Sequence, residues 1–419
     1  MYALLDRVFA MVVKTGTLRV KAPTGKTYSY GDGTGTPVSI RIASEAAARR
    51  IAIDADLALG ETYMDGTLKI EEGTVYDMIA LIMRNAGNVS DYPPAARLLY
   101  KLRKAFKRID QYNPMGKAKA NVAHHYDLSG QLYDLFLDRD RQYSCAYFET
   151  AGASLEEAQL AKKRHLAAKL DIKPGMKILD IGSGWGGLGL YLAEICGADI
   201  IGVTLSEEQH QLSNERAAQR GVAHKAQFRL IDYRALEGKF DRIVSVGMFE
   251  HVGINHYKEF FGKCRALLKD DGIAALHSIN RSDGPGATSA WTKKYIFPGG
   301  YVPALAEVIP HMETQGLYIT DIEILRLHYA ETLRHWGKLF ADNRERAREI
   351  YDERFCRMWE FYLAAAQATF RYAGLNNFQI QFCKNQHVLP LTRDYIQDAE
   401  NVLRGLESKR PRLKSVPAE

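Results

Sequence analysis

From residue 176 onward, short apolar runs alternate with stretches whose apolar residues recur every three to four positions, a pattern of buried strands and the helices between them. Runs at 176–181, 200–204, 228–231, 242–246 and 273–279 predict strands, and the spacing over 188–196, 207–220 and 257–268 predicts helices. This alternation belongs to the α/β class, a doubly wound and mostly parallel sheet with helices on both faces. The chain ahead of it reads differently. Residues 16–21 and 38–42 alternate apolar and polar positions, and the Gly- and Thr-rich stretch 30–37 between them predicts a hairpin-like loop. Helical spacing follows at 46–53 and 75–85, while 57–66 predicts a helix ending in a glycine turn. A small α+β module with a core of its own is therefore expected before the sheet. Far downstream, 359–370 predicts an apolar helix with aromatic spacing, suited to core packing or to the wall of an apolar tunnel.

Composition narrows this picture only a little. A length of 419 residues leaves room for two domains, and 46% hydrophobic with 25% charged residues excludes a disordered or fibrous chain. No run of 18 apolar residues and no basic start followed by an apolar stretch is present, which predicts a cytoplasmic protein. The five cysteines are scattered without metal spacing, so reduced thiols and no metal site are expected. The net charge of +6 hides a local patch. Arg97, Lys101, Arg103, Lys104, Lys107, Arg108, Lys117 and Lys119 face only Asp110, and Leu98, Leu99, Leu102 and Phe106 interleave with them at helical spacing. Such a segment is a solvated helix face, an anionic-membrane contact or a nucleic-acid surface, and its amphipathic character favours the membrane over nucleic acid. The expected organisation is 1–92 as the small N-terminal unit, 93–122 as a basic amphipathic connector, 123–405 as the catalytic domain and 406–419 as a basic tail.

Candidate chemistry begins at Ile178-Leu-Asp-Ile-Gly-Ser-Gly-Trp-Gly-Gly187, a strand running into a glycine loop. Glycine lacks a Cβ and lets a ligand approach the backbone, but the pattern fits dinucleotide and S-adenosylmethionine binders alike. A nicotinamide enzyme places an acidic residue about 20 positions on, where this chain has Thr204. Asp180, directly before the turn, and Asp232, after the third strand, suit a Rossmann-like S-adenosylmethionine-dependent methyltransferase. Each also has a plainer reading, Asp180 as a helix cap and Asp232 as a strand-end turn residue.

Seven segments in order carry a closer resemblance: His124-His-Tyr-Asp-Leu-Ser129, Gln142-Tyr-Ser-Cys-Ala-Tyr-Phe148, the glycine loop, Gly202-Val-Thr-Leu-Ser206 with Gln209, Met248-Phe-Glu-His-Val-Gly253, Tyr295-Ile-Phe-Pro-Gly-Gly300 and His328-Tyr-Ala-Glu-Thr-Leu-Arg-His-Trp336. Together they resemble the cyclopropane-fatty-acyl-phospholipid and mycolic acid cyclopropane synthases. The resemblance implies that Tyr143 and Ser144 hold the methionine end of S-adenosylmethionine with Gly182 beneath it, that Thr204 and Gln209 serve its ribose, and that Gly184 and Leu205 also belong to the cofactor site. Asp180 and Asp232 complete the cofactor set. It further implies a smaller lipid-contacting N-terminal region, a homodimer, and peripheral attachment to the inner face of the cytoplasmic membrane, where phospholipid acyl chains are the substrate.

The same resemblance supplies a reaction. An isolated cis double bond is a poor nucleophile and must be held in line with the departing sulfur of the cofactor. Methyl transfer leaves a carbocation, which water must not reach and which an apolar, aromatic pocket tolerates. In the family, bound bicarbonate is the base that closes the ring, and its residues map onto Cys145, Glu250, His277, Ile279 through its backbone, and Tyr329. Beside a bicarbonate, Glu250 is expected either to orient His277 or to accept the bicarbonate hydroxyl proton. Taken singly, Cys145 also reads as a small buried apolar group, His277 as a satisfied core histidine and Tyr329 as a packing residue.

Overall fold

A computed structural model describes residues 2–86, 94–106, 111 and 130–409. The motif at 124–129, the rest of the basic connector and the tail beyond 409 lie outside the described residues.

The N-terminal unit begins with α1 (Tyr2–Val12), whose buried Tyr2, Leu5 and Phe9 fall on one face by their spacing. Strands β1 (Leu18–Lys21), β2 (Thr27–Tyr30), β3 (Val38–Ile42) and, further on, β4 (Leu68–Glu72) form a sheet of order β2-β1-β3-β4. The hairpin-like loop expected of 30–37 does not join 16–21 to 38–42 as antiparallel neighbours. β1 and β3 do lie side by side, but in parallel, because the chain first returns through β2, which pairs antiparallel with β1. The glycine-rich stretch then serves as the crossover a parallel neighbour requires. Gly31 shows why glycine is needed there: its φ is 96°, and a Cβ would lie 2.0 Å from the Gly16 carbonyl oxygen. Helices α2 (Glu45–Ile53), α3 (Ala55–Met64) and α4 (Val75–Asn85) stand where the spacing predicts them. Ser44 caps α2, and Thr74 with Asp77 forms a capping box on α4. Beyond them runs α5 (Pro94–Ala105), in the basic segment.

After the short α6 (Gly130–Asp134) and the long α7 (Leu155–Lys169), the second sheet starts. Strands β5 (Lys177–Ile181), β6 (Asp199–Thr204), β7 (Ala226–Leu230), β8 (Phe240–Val246), β9 (Leu268–Arg281), β10 (Tyr318–Ile324) and β11 (Leu375–Cys383) assemble in the order β10-β11-β9-β8-β5-β6-β7. The five strands that the apolar runs predict are mutually parallel, and β11 runs antiparallel to both β9 and β10. Successive residues of each strand feed opposite layers. Leu179 and Ile243 face the cluster built on α10 (Tyr257–Leu267), whereas Ile178 and Val244 face α8 (Gly187–Ile195), α9 (Glu207–Gln219) and α7. Strand order reverses between β5 and β8, so the carboxyl ends of these strands open the crevice where a doubly wound sheet takes its ligand.

The remaining helices are α11 (Ala290–Tyr295), α12 (Leu305–Glu313), α13 (His328–Asp342), α14 (Arg344–Ile350), α15 (Glu353–Tyr372) and α16 (Asp394–Ser408). The expected separate core of the N-terminal unit is not what forms. One apolar cluster joins Leu5, Val20 and Ile40 to Tyr133, Trp336, Trp359 and Phe361. The reason is α15, the predicted aromatic helix, against which α3, α4 and α13 all pack. Phe361 lies 4.8 Å from Trp291 and 6.2 Å from Tyr63, ring to ring, and Tyr63 donates to Glu360 at 3.1 Å. No helix among the described residues is long and apolar enough to cross a membrane.

Candidate active site

The glycine loop leaves β5 and enters α8 with Gly182, Gly184 and Gly186 all at positive φ. Gly182 also has a neighbour that forbids a side chain: a Cβ would stand 2.7 Å from Met248 Cβ. The amides of Gly182 and Ser183 are held by the Val203 carbonyl at 3.0 and 2.9 Å, which fastens the loop to β6. Over it opens a cavity lined by Tyr143, Ser144, Asp180, Gly182, Gly184, Thr204, Leu205, Gln209 and Asp232. Every cofactor residue expected from the sequence thus borders one cavity, and Arg141, Trp185, Met248 and His251 are among the other residues of its wall.

Several of these groups are arranged for a polar ligand. Asp180 Oδ2, Ser183 Oγ and Trp185 Nε1 are buried without a partner, an arrangement a folded protein rarely leaves unless a ligand or water completes it. Burial pushes the Asp180 carboxyl up to about 7, although the Lys162 charge works against the rise. Thr204 donates to Gln209 Oε1 at 2.8 Å and accepts from the Ser206 amide at 3.2 Å, so β6 and the start of α9 share one hydrogen-bonded corner. Asp232 combines two readings. It borders the cavity, yet it also caps the turn 233–235 and pairs with Arg234 at 2.6 and 2.9 Å. Burial disfavours its ionised form, but the Arg234 pairing outweighs burial and keeps the carboxyl below its ordinary range.

None of the five residues expected to act on the substrate side lines this cavity. Glu250, on a 3-10 turn after β8, accepts the Ile279 N–H at 2.6 Å through Oε1, while its Oε2 is buried without a partner. Burial pushes this carboxyl up to about 6, against the opposing pull of the Ile279 amide. His277 is wholly buried on β9, with its ring nitrogens 3.3 Å from Asn377 Nδ2 and 3.2 Å from Gln379 Nε2 of β11. Burial drives it down to about 3, so the ring is neutral. It is therefore β11 that orients His277, and the bond Glu250 makes goes to the Ile279 backbone; of the two roles expected for Glu250, the first is not the one found. The Cys145 thiol is fully buried and pushed up by burial, which keeps it an S–H and makes it an unsuitable nucleophile. The amide of the next residue, Ala146, donates to Thr332 of α13 at 3.0 Å. Tyr329 packs edge-on to Trp336 at 5.8 Å and against Phe370 at 4.6 Å. Tyr143 stacks on the same Trp336 at 5.2 Å and shares a 2.7 Å hydrogen bond with Tyr362, a contact no sequence motif signals.

Sequence reasoning also misses the layer under the segment 142–145. Asp140 is paired with Lys163, with Arg216 at 2.5 Å and with Arg220 at 2.7 Å, and Arg216 in turn donates to the Trp185 carbonyl at 2.6 Å. Gln159 and Lys162, both fully buried on α7, hold the backbone and side chains of Gln142 and Ser144. A charge-rich stretch with no apolar periodicity offers no signal for either.

With the site described, its relatives can be placed. The family model described as mycolic acid cyclopropane synthetase matches residues 115–380. The chain belongs to this family. As a member of the cyclopropane synthase family it is an S-adenosylmethionine-dependent methyltransferase. The cyclopropane-fatty-acyl-phospholipid synthase of Escherichia coli K12 is 36% identical over 350 residues, which cover 83% of this chain and 88% of that protein. The tuberculostearic acid methyltransferase of Mycobacterium tuberculosis is 36% identical over 373 residues, covering 84% of this chain and 86% of that protein. Among solved structures, a mycolic acid cyclopropane synthase complexed with SAH and CTAB aligns at 32% identity and a TM-score of 0.61, covering 65% of this chain and 99% of that one. Residues 4–92 match a second model, described as a domain of unknown function.

Proposed function

We propose that this cyclopropane synthase family member transfers a methylene group from S-adenosylmethionine to the cis double bond of unsaturated acyl chains in membrane phospholipids, with bound bicarbonate as the base that completes the ring. The observation that carries the reading is Glu250: one carboxylate oxygen fixed on the Ile279 amide at 2.6 Å, the other buried and unpartnered. A carboxyl pushed up to about 6 exchanges a proton near neutral pH and can share one with an oxyanion beside it. The Tyr329 phenol is a hydrogen-bond donor of the kind that would hold such an anion, and the Cys145 thiol, which donates to the Ala146 carbonyl at 3.3 Å, would become one by turning its S–H. Bicarbonate would supply the base, and S-adenosylmethionine the electrophilic methyl group. The aromatic cluster of Tyr143, Tyr329, Trp336 and Phe370 offers π faces and excludes water, as a carbocation on the acyl chain requires.

The domain roles belong to the same proposal. Residues 1–92 would contact lipid, 93–122 would connect, 123–405 would carry the chemistry and 406–419 would form a basic tail. Support for a membrane-surface role comes from α5 and the residue that follows it, where Leu98, Leu102 and Phe106 are exposed beside exposed Arg97, Lys101 and Lys104. Peripheral attachment to the inner face of the cytoplasmic membrane follows from that reading, and a homodimer is to be checked by light scattering.

The test is incubation of the protein with cis-unsaturated phospholipid vesicles, S-adenosylmethionine and bicarbonate. Lipid gaining the mass of one CH2 supports the proposal; unchanged lipid sinks it. Glu250→Gln is expected to lower turnover by about 100-fold, the ordinary contribution of a proton-transfer group, while leaving SAH affinity unchanged. One observation favours a second reading. The relative named a tuberculostearic acid methyltransferase is as similar as the E. coli synthase over as much of the chain. NMR of the product separates a ring from a methyl or methylene branch.

A further inference from the structure

We propose that Lys162 is a positioning residue for the methionine end of the cofactor, its buried ammonium turning the Ser144 hydroxyl into a donor aimed at the cofactor carboxylate. This rests on the placement of that end of the cofactor beside Ser144. Lysine is almost never fully buried, yet Lys162 has no exposed surface and makes no ion pair at bonding distance among the described residues. Its Nζ instead donates to Ser144 Oγ and to Gln142 Oε1, each at 2.7 Å.

In the ammonium form, which Asp138 and Asp140 favour, Lys162 carries three N–H groups and no acceptor, so both bonds run outward from Nζ. Ser144 Oγ must accept from below, and its own proton is left to donate elsewhere. Since Ser144 borders the cavity, that donor is available to a carboxylate, which only accepts. Gln142 must likewise turn its carbonyl to Lys162 and its NH2 away. The NH2 lies where a Cβ on Gly187 would be, 2.3 Å from that position, at the start of α8. One turn earlier on α7, Gln159 donates to the Gln142 and Ser144 carbonyls at 3.2 and 3.0 Å, so the backbone of the same segment is clamped from the same helix face. Lys162 therefore braces Gln142 and Ser144, both in the wall of the cavity, without lining the cavity itself. Burial lowers its proton affinity to about 7, with the nearby Asp138 and Asp140 acting to restore it and Lys163 acting with burial.

The test compares two ligands on the full chain by calorimetry: SAH, which has the amino-acid end, and methylthioadenosine, which lacks it. Ser144→Ala should weaken SAH by about tenfold or more, as expected for one hydrogen bond to a charged group, and leave methylthioadenosine unchanged. Lys162→Met should reproduce that selective loss and raise KM for S-adenosylmethionine more than it lowers kcat. The double variant should bind SAH no more weakly than the weaker single one, because both substitutions remove the same bond. A folded Lys162→Met protein that binds SAH like the wild type, or loses both ligands equally, overturns the proposal. If Ser144→Ala leaves SAH binding intact, what fails is the placement of the methionine end, and the positioning role falls with it. Should Lys162→Met not fold, lysine-labelled wild-type protein decides: the Lys162 Nζ resonance should shift on adding SAH and not on adding methylthioadenosine, and equal shifts with both overturn the role.

Discussion

Asp140 gathers three cations, and through Arg216 it also steadies the Trp185 carbonyl in the glycine loop. Burial opposes its ionisation, but Lys163, Arg216 and Arg220 together prevail and hold the carboxyl far below its ordinary value of 3.8. Replacing it by Asn leaves largely buried cations without their anion, a change expected to cost about 3 kcal/mol. The sign of its pH dependence follows from the depressed value. Stabilisation by Asp140 is complete above the unfolded-state value and is lost as pH falls from there toward the lower folded one. Urea unfolding of the wild type and Asp140→Asn should show the full gap at neutral pH, narrowing below about pH 4; a gap that stays constant on acidification refutes the assignment. At this scale the cofactor cavity was legible in the sequence, because glycines, Asp180, and Thr204 with Gln209 have few alternatives around a strand-to-helix loop. Asp140, Gln159 and Lys162 were not, because their roles come from burial, and nothing in a charged stretch states which charges will be covered.

Elements that obey one period are legible in the sequence, and those that mix signals are not. The parallel strands β5, β6, β8 and β9 are covered on both faces and show as apolar runs. Strand β11, Leu375-Asn-Asn-Phe-Gln-Ile-Gln-Phe-Cys383, alternates like a half-exposed strand although almost all of it is buried. Its polar side is accommodated internally: Asn377 and Gln379 meet His277, and Gln381 donates to Tyr395 at 2.7 Å. The parallel pairing of β1 with β3 was hidden by the short β2, whose four residues Thr27–Tyr30 carry little apolar character. Helix α5 is the element whose pattern most directly predicts behaviour. Arg103 is engaged, pairing with Asp54 at 2.7 Å and Asp56 at 2.6 Å, so it ties α5 to the α2–α3 junction. Lys101 and Lys104 are exposed and flank the apolar stripe. A basic residue near an anionic membrane contributes about 1 kcal/mol, so Lys101→Glu with Lys104→Glu should weaken binding to anionic vesicles by about tenfold or more. Cosedimentation at rising salt should weaken the wild type in the same way. Equal binding to anionic and uncharged vesicles, insensitive to salt, would show that the basic face is only a solvated surface.

Across the whole molecule, one apolar cluster runs from the N-terminal unit into the chain around Trp336 and Trp359, and a shared core of this kind predicts that the two regions unfold together. Where α3 meets α11 the junction leaves no room for a side chain at Gly60. A Cβ on Gly60 would lie 2.2 Å from Trp291 Nε1 and 2.4 Å from its Cδ1, and Trp291 itself is almost wholly buried between Met64 and Phe361. Gly60 is helical, so Ala there gains about 1 kcal/mol in helix propensity. Forcing a methyl into a filled site costs about 1 to 3 kcal/mol, and because the obstacle is a buried indole rather than a flexible chain end, the upper part of that range applies. Gly60→Ala should therefore destabilise the protein despite its better helix former. Phe361→Ala, which empties the opposite side of Trp291, should cost more, about 3 to 5 kcal/mol. The informative readout is where the loss is felt. If the two regions share one core, secondary structure and SAH binding should fail at the same lowered urea concentration in both variants. An early transition confined to the N-terminal unit, with SAH binding surviving to the wild-type midpoint, would instead establish two independent cores joined by a weak contact.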